Sequence, residues 1–467
     1  MTSSSFASPD AIRTRFSRAM SEMYRAEVPQ YGTLMALVAD VNAAARRADP
    51  ALDRRLADNR EIERLDLERH GAIRLGTAEE LFTMRRLFAV MGMVPVGYYD
   101  LSVAGVPVHS TAFRPVEPEA LRRNPFRVFT SLLRLDLVRD EALREEAAAI
   151  LARRRIFTDG CLALIEAAER RGGLDDEEAD RFVREALETF RWHGEATVAA
   201  EAYQRLRAAH PLVADVVCFK GPHINHLTPR TLDIDAAQAG MPERGIAPKA
   251  VIEGPPPRRV PILLRQTSFK ALQEGIAFKG GTGAGTGDAA TDGTHTARFG
   301  EIEQRGVALT PEGRALYDRL LDTVRGEVQV KADGSNAEDY MAALARVFAA
   351  FPDDEDTLRR AGLAYFRYRA TGKPGAPATL DLDRLIAAGF VAAEPITYED
   401  FLPVSAAGIF QSNLGDETQR NFAAQANRAA FVRDLGTEVA DEIALYEAMD
   451  ARSRTDTLAS LRRSAVA

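Results

Sequence analysis

The sequence contains very little cysteine and no long run of apolar residues. Cys161 and Cys218 are the two cysteines among 467 residues, too few for a disulfide framework or a thiolate metal cluster. No stretch approaches the roughly 20 apolar residues that a membrane-spanning helix needs, and the first residues lack the apolar segment of a secretion signal. We therefore expect a cytoplasmic protein that has no membrane partner.

Positive charge is also in short supply. The 60 lysines and arginines are outnumbered by 68 aspartates and glutamates, which gives a net charge of −8. Nucleic-acid binding needs a clustered basic surface, so this balance argues against a nucleic-acid partner. A small anionic substrate needs only one or two local arginines.

Helical periodicity alternates along the chain with runs of β-branched and aromatic residues. Residues 11–47 follow a helical period, residues 137–190 predict three helices, and a further helical stretch runs from 416 towards 449. Strands are predicted at Val94–Tyr99, Val106–Phe113, Val213–Phe219, Val260–Phe269 and Phe299–Leu309. This pattern indicates an α+β protein whose sheet or partial barrel is interrupted by helical insertions.

Two of the seven histidines have a spacing that suggests a metal site. On a helix, His223 and His226 would share a face and could clamp one ion, but Pro222 and Pro229 flank the segment and predict extended chain. Side chains alternate along extended chain, so at most one of the two is expected to be a ligand. A histidine that hydrogen-bonds to backbone at the end of a strand is an equally good interpretation.

A third histidine, His70, is followed four residues later by Arg74 in a weakly charged stretch. A guanidinium can hold a carboxylate through two hydrogen bonds, which would suit an acidic substrate. The alternative is an arginine that pairs with Glu68 or Asp66 on a solvated surface.

A pair of glutamates could complete a metal site. Glu301 and Glu303 lie two residues apart, so they share one face of a predicted strand with Phe299. A buried carboxylate needs a partner, and a metal ion or a neighbouring arginine would provide one. Two histidines and one carboxylate would make a facial triad that leaves three positions open on Fe(II). Spacing alone does not establish such a site.

Four motifs that occur in order along the chain carry a resemblance to a known family. They are His70-Gly-Ala-Ile-Arg74, His223-Ile-Asn-His226-Leu-Thr-Pro, Phe299-Gly-Glu301-Ile-Glu-Gln-Arg305-Gly and Pro403-Val404-Ser405. Together they resemble the 2-oxoadipate dioxygenase/decarboxylase family, also called hydroxyglutarate synthase. The resemblance runs over nearly the whole chain. It implies a vicinal oxygen chelate-like partial β-barrel with large helical insertions and a C-terminal helix.

The resemblance also implies a domain organisation and a metal site. We expect one metal-binding catalytic domain over residues 1–467, with a helical insertion at about 115–210 and a C-terminal helical region at about 416–467. His70, His226 and Glu301 would bind Fe(II). Glu301 is favoured over Glu303 because its Glu-hydrophobic-x-Gln-Arg setting resembles the iron-binding strand of 4-hydroxyphenylpyruvate dioxygenases.

By the same resemblance, Arg74 is the catalytic residue that holds a substrate carboxylate. The implied substrate site consists of His70, Arg74, His226, Val404 and Ser405. The implied substrate is a small 2-oxo dicarboxylic acid, which reacts with O₂.

The implied activity is the Fe(II)-dependent conversion of 2-oxoadipate and O₂ to D-2-hydroxyglutarate and CO₂ in lysine catabolism. A six-carbon acid that loses one carbon as CO₂ leaves a five-carbon product, as this reaction requires. One alternative is a zinc- or nickel-dependent vicinal oxygen chelate isomerase or lyase that acts on a small oxo acid. Another is a binding protein with a degenerate metal site.

Overall fold

The computed structural model describes residues 6–58, 61–269, 273–279, 293–296, 298–331, 334–375, 381–402 and 420–466. By its internal contacts the chain divides into two compact units. The first consists of Met1–Lys249, Thr267–Glu303 and Pro403–Ala440, and the second of Ala250–Gln266, Gln304–Leu402 and Asp441–Ala467. His70, Arg74, His226 and Glu301 all belong to the first unit.

The first unit is built on a mixed five-stranded sheet, so the expectation of an α+β fold is confirmed. Its strands are β1 (Arg69–Leu75), β2 (Val94–Asp100), β3 (Val108–Arg114), β4 (Arg127–Leu133) and β5 (Leu227–Pro229). They lie in the order β2-β3-β4-β1-β5, with β1 parallel to β4 and the other neighbouring pairs antiparallel. The predicted strands at Val94–Tyr99 and Val106–Phe113 are therefore confirmed.

Eighteen α-helices are found in the described part of the chain, and four short 3₁₀ turns accompany them. The helices are α1 (Pro9–Glu27), α2 (Pro29–Ala48), α3 (Pro50–Asp58), α4 (Glu61–Leu67), α5 (Ala78–Val90), α6 (Pro118–Arg123), α7 (Glu141–Leu151), α8 (Asp159–Arg171), α9 (Asp176–Leu187), α10 (Ala200–Ala209), α11 (Pro211–Val217), α12 (Ile234–Gly240), α13 (Pro311–Glu327), α14 (Ala337–Phe348), α15 (Glu355–Arg360), α16 (Leu382–Ala387), α17 (Arg420–Leu435) and α18 (Glu442–Val466). The 3₁₀ turns are Ser102–Ala104, Leu135–Leu137, Glu188–Phe190 and Pro242–Arg244. Among the described helices, none is both long and apolar enough to cross a membrane.

The three helices predicted in residues 137–190 are present as α7, α8 and α9, each started by a side-chain cap. The stretch at 11–47 is two helices rather than one. Because Pro29 has no backbone N–H to continue α1, the chain leaves helical geometry at Val28 and restarts as α2.

The predicted strand at Val213–Phe219 is wrong, because Pro211–Val217 is the helix α11. His210 caps this helix by accepting a 3.0 Å hydrogen bond from the Leu212 backbone N–H, and Pro211 suits the first helical position. Every residue from Leu212 to Val217 is buried. A short helix that is buried on all sides has no polar stripe, and its apolar run therefore resembles a strand.

The remaining strands form three two-stranded pairs. β6 (Leu264–Phe269) pairs with β9 (Gly300–Arg305), β7 (Gln273–Ile276) with β8 (Gly293–Thr296), and β10 (Phe366–Ala370) with β11 (Val391–Pro395). β6 and β9 are shorter than the predicted Val260–Phe269 and Phe299–Leu309. β6 starts only after Leu263, whose φ of 52° is left-handed and incompatible with a strand.

The core of the first unit covers one face of the sheet. Ile73 and Leu75 of β1 belong to this core, together with a cluster of phenylalanine rings from helices and strands. In that cluster Phe88 stacks on Phe113 at 4.8 Å between ring centroids. His70 and Arg74 have the opposite parity on β1, so they project from the other face of the sheet. The sheet therefore separates an apolar core from a polar site.

The second unit has a core of its own. It consists of apolar residues from the helices α13, α14 and α18 and the strands β10 and β11, among them Tyr317, Leu344, Phe366 and Tyr446. Phe348 packs edge-on against Tyr317 at 5.5 Å between ring centroids. None of the three predicted metal ligands belongs to this unit.

Gly71 generates a prediction about stability, since the backbone beside His70 has no room for a side chain. A Cβ at Gly71 would lie 2.5 Å from Ile224 Cδ1 and 2.9 Å from the backbone oxygen of His226. The isoleucine can change rotamer, but the backbone oxygen cannot move without shifting His226. We expect Gly71→Ala to lower the free energy of unfolding of the metal-free protein by about 1–3 kcal/mol, measured by urea denaturation.

The matched control is Gly326→Ala near the end of α13, where an added Cβ would have no neighbour within 4 Å. Alanine favours helix over glycine by up to about 1 kcal/mol, so this variant should be as stable as the parent or slightly more so. A Gly71→Ala protein as stable as the parent would show that β1 tolerates the side chain.

Candidate metal centre

His70 lies in the middle of a row of polar residues that crosses the sheet. Its direct neighbours in the strand register are Arg127 on β4 and Thr228 on β5. Residues directly opposite on paired strands project to the same face. His70, Arg127 and Thr228 all contact a glutamate of β9.

Glu301 lies between the two histidines. Its Oε2 atom is 3.0 Å from Nε2 of His70 and 3.6 Å from Nε2 of His226. The Thr228 hydroxyl donates a 2.8 Å hydrogen bond to the same oxygen. Burial alone would raise the pKa of Glu301, but the imidazoles of His226 and His70 and the hydrogen bond from Thr228 outweigh burial and lower it. The Glu301 carboxylate is therefore ionised at neutral pH.

Glu303 lies on the opposite side of the His70 ring. Its Oε2 atom is 3.1 Å from Nδ1 of His70, and Nη2 of Arg127 donates to both carboxylate oxygens at 2.8 and 2.7 Å. All three side chains are fully buried. A carboxylate on Nδ1 fixes the ring and its tautomer and directs the Nε2 lone pair away from itself. Thus the two glutamates, which share one face of β9, occupy different positions around His70.

His226 has an unmet requirement for a partner. It is 1% exposed, and neither ring nitrogen makes a hydrogen bond to any residue that the structure describes. Burial lowers the pKa of His226 to about 4, so the imidazole is neutral at pH 7 and has a lone pair to offer. A buried polar group without a hydrogen bond is costly, and a metal ion would remove that cost.

Together these three residues form a group that can hold a metal ion. One ligand atom from each of His70, His226 and Glu301 lies within 4.8 Å of the others, and all three residues are buried. Ligands at right angles around an ion, each at about 2.1 Å, are roughly 3 Å apart, close to the measured separations from Glu301. The donor set and its spacing therefore fit a divalent ion.

The structure describes two of the other candidate residues, His223 and Arg74, and both lie near Asp215. Nε2 of His223 is 3.0 Å from the Asn225 amide and 3.7 Å from Asp215, and His223 is not part of the metal group. Arg74 projects from the same face of β1 as His70, and its Nη1 donates a 2.7 Å hydrogen bond to Oδ2 of Asp215. Val404 and Ser405 lie outside the described residues.

The family model of 2-oxoadipate dioxygenase/decarboxylase matches residues 16–413. The chain belongs to the 2-oxoadipate dioxygenase/decarboxylase family. It is therefore an enzyme of this dioxygenase/decarboxylase class.

Individual relatives agree with the family match. The 2-oxoadipate dioxygenase/decarboxylase of Pseudomonas putida is 60% identical over 460 residues, which is 97% of each chain. That of Escherichia coli is 57% identical over 450 residues, covering 95% of this chain and 97% of the relative. The crystal structure of the Pseudomonas putida hydroxyglutarate synthase in complex with 2-oxoadipate superposes with a TM-score of 0.91 at 59% identity, covering 98% of this chain and 99% of that one.

In this member of the 2-oxoadipate dioxygenase/decarboxylase family, the predicted residues make several contacts that the sequence analysis did not predict. Thr228, Arg127 and Asp215 contact Glu301, Glu303 and Arg74 respectively. Thr228 carried a signal, since it lies two residues after His226 within the same motif. No sequence feature indicated Arg127 or Asp215, because each is distant in sequence from its partner.

The metal group generates a prediction about binding. We expect His70→Ala, His226→Ala and Glu301→Ala each to abolish tight binding of a divalent ion, because each removes one of three donors. Metal content after anaerobic loading and gel filtration measures the effect, with circular dichroism as the check on folding.

Two controls probe the neighbouring positions. His223→Ala removes an equally buried histidine outside the metal group and should leave the metal content unchanged. Glu303→Gln keeps an acceptor for His70 but loses the charge, and should weaken metal affinity by roughly 10–100-fold without abolishing binding. If Glu303→Gln loses the metal while Glu301→Ala keeps it, the two glutamates have been assigned the wrong way round.

Proposed function

We propose that this protein uses Fe(II) to convert 2-oxoadipate and O₂ to D-2-hydroxyglutarate and CO₂, as a step of lysine breakdown. The observation that carries the proposal is the buried His70, His226 and Glu301 group, with Arg74 on the same face of the same strand. The 2-oxoadipate bound by the similar Pseudomonas putida enzyme supports the choice of substrate.

The donor set favours iron. Two neutral imidazoles and one carboxylate are typical of non-heme Fe(II) oxygenases, in which three adjacent positions stay open. An iron ion held there would supply the redox chemistry with O₂ that these side chains lack. With a single ionised ligand, a divalent ion keeps a net charge of about +1, which attracts an anionic substrate.

Arg74 would bind the substrate carboxylate that is distant from the 2-oxo group. Arg74 and His70 are four residues apart on one strand, which is about 13 Å between their Cα atoms. The arginine side chain and a six-carbon diacid can share that span. Binding one end of the substrate at Arg74 holds the reacting carbons near the metal group, and such orientation contributes strongly to rate.

The proposed reaction balances without an external reductant. The bond between C1 and C2 of 2-oxoadipate breaks, and C1 leaves as CO₂. One atom of O₂ joins C2 to make the new carboxylate, and the other becomes the hydroxyl on the neighbouring carbon. The two electron pairs that reduce O₂ come from the broken carbon–carbon bond and the oxidised C–H bond.

We also propose that the open five-stranded sheet is the vicinal oxygen chelate-like partial barrel of this enzyme. Support comes from its connectivity, in which β1 is followed by α5, β2, β3 and β4, and from its polar face, which carries His70. A single catalytic domain over 1–467, with insertions at about 115–210 and 416–467, stays a prediction. The helices α6 to α10 lie in the first of these ranges, and α17 and α18 in the second.

The proposed location is the cytoplasm. Cys161 and Cys218 are both buried free thiols, and burial raises the pKa of each to about 12. Thiols that stay reduced and protonated suit a reducing compartment. This supports the location without involving either cysteine in the chemistry.

The proposed reaction predicts a fixed stoichiometry. Protein loaded with Fe(II) under nitrogen and then given O₂ and 2-oxoadipate should consume O₂ and release CO₂ and 2-hydroxyglutarate in equal amounts. An oxygen electrode, CO₂ capture and chiral chromatography of the product measure the three quantities. Turnover with zinc or nickel and without O₂ uptake would show instead an isomerase or lyase.

The role of Arg74 gives a second prediction for the same assay. Arg74→Ala should lower kcat/KM for 2-oxoadipate by about 100-fold, since a hydrogen-bonded charge contact contributes roughly 1.5–3 kcal/mol, while the metal content stays unchanged. Arg74→Lys keeps the charge but loses the two-pronged geometry, and should fall in between. Unaltered kinetics in Arg74→Ala would remove Arg74 from the substrate site.

A further inference from the structure

A chain of buried hydrogen bonds leads from Arg74 away from the metal group. Oδ2 of Asp215 accepts from Nη1 of Arg74 at 2.7 Å, and Oδ1 of Asp215 is 2.9 Å from Nε2 of His295. Nδ1 of His295 is in turn 2.8 Å from the Tyr203 hydroxyl. The four residues come from β1, α11, β8 and α10. Residues from three other elements therefore form a linear chain that ends at the arginine of β1.

Asp215 is an ionised group in the middle of this chain. It is 6% exposed, and both of its carboxylate oxygens have partners. Burial opposes ionisation, but the imidazole and guanidinium groups around it outweigh burial and hold the pKa of Asp215 below its usual range. A buried carboxylate held on both oxygens has one orientation, because turning it would break hydrogen bonds that water cannot replace.

The fixed carboxylate determines how the guanidinium of Arg74 lies. A guanidinium is planar, with five N–H donors in a rigid fork, so a short contact at Nη1 restricts the direction of the remaining donors. The Asn225 amide lies 3.2 Å from the same Nη1 and can accept there with its oxygen turned towards the arginine. The Arg74 side chain is still 19% exposed, which leaves part of it accessible to a ligand.

We propose that Asp215, held by His295 and Tyr203, is a positioning residue that orients Arg74 and makes the enzyme select 2-oxo acids with a second carboxylate. The inference rests on the proposed function, in which Arg74 binds that carboxylate. The inference adds Asp215 as the residue on which the specificity of Arg74 depends.

Charge and geometry make opposite predictions for Asp215. As a negative charge beside Arg74, Asp215 repels an anionic substrate, so its neutralisation would tighten binding if charge dominated. As an anchor, it holds the donors of Arg74 in line, so its loss would weaken binding if geometry dominated. A two-pronged contact depends strongly on angle, whereas a charge effect at a partly exposed arginine is reduced by solvent. Geometry should therefore dominate.

The test measures equilibrium binding without turnover. Trp192 is the one tryptophan of the chain, and its ring lies parallel to that of His295 at 6.2 Å between centroids. Its fluorescence under nitrogen can report the binding of 2-oxoadipate, and of 2-oxohexanoate as the matched ligand that lacks the second carboxylate. Isothermal titration calorimetry gives the same constants independently.

In Asp215→Asn, we expect the dissociation constant of 2-oxoadipate to rise by about tenfold or more, while that of 2-oxohexanoate changes by less than about twofold and the metal content stays the same. Equal weakening of both ligands would mean a general structural role and would overturn the proposal. Unchanged or tighter binding of 2-oxoadipate would overturn it as well.

Tyr203→Phe keeps the inference testable if Asp215→Asn does not fold. It removes one hydroxyl at the far end of the chain, and should weaken 2-oxoadipate selectively by about two- to threefold. No selective change in that variant would count against the proposal.

Arg74→Ala distinguishes failure of the inference from failure of the proposed function. If Arg74→Ala leaves 2-oxoadipate binding unchanged, the proposed role of Arg74 is wrong. If Arg74→Ala weakens 2-oxoadipate binding but Asp215→Asn does not, only the inference about Asp215 is overturned.

Discussion

The arrangement of the site depends on the burial of the Glu301 carboxylate between two imidazoles. Glu301 is 4% exposed, and a carboxylate removed from water needs compensating charge or hydrogen bonds. The guanidinium of Arg127 is nearby but is bound by both oxygens of Glu303. Burial also keeps His226 neutral, and its ring nitrogens make no hydrogen bond within the part of the chain that the structure describes. A divalent ion held by this group would give the His226 lone pair a partner and would add a positive charge beside Glu301.

Strand β1 sets the distance between the metal group and Arg74. Its two-residue alternation places Ile73 in the apolar core and His70 and Arg74 on the opposite face. The separation of metal group and arginine is thus set by backbone geometry rather than by flexible loops. Gly71, where an added Cβ would come within 2.9 Å of the His226 backbone oxygen, allows the segment that carries His226 to approach the strand.

Those parts of the site that follow strand alternation could be predicted from the sequence, and those that depend on long-range packing could not. Alternation placed Glu301 and Glu303 on one face, and both carboxylates lie beside the ring of His70. Its further indication, that at most one of His223 and His226 is a ligand, stays a prediction. Alternation could not show that the two glutamates bind different nitrogens of one ring. That depends on Arg127, which lies 176 residues from Glu303 in sequence.

The wrong prediction of a strand where the structure has α11 also arose from long-range packing. It left Asp215 unrecognised as a candidate residue of the site. The apolar run around Asp215 resembled a strand because the helix is buried on all sides, although His210 and Pro211 are a recognisable helix start. As a helix, the segment directs Asp215 towards Arg74, 141 residues away in sequence.

This pairing changes how an acidic protein can bind a doubly charged acid. Because Asp215 already pairs with Arg74, the long-range charge attraction of Arg74 for an anion is reduced. In the proposed function, a divalent ion with a single ionised ligand would keep a charge of about +1 and would supply most of that attraction. In the same proposal, Arg74 would contribute direction, because a planar fork held on one side accepts a carboxylate from one angle only. In the proposed function, the metal group would therefore supply most of the charge attraction, and the hydrogen bonds behind Arg74 would supply the selectivity for a second carboxylate.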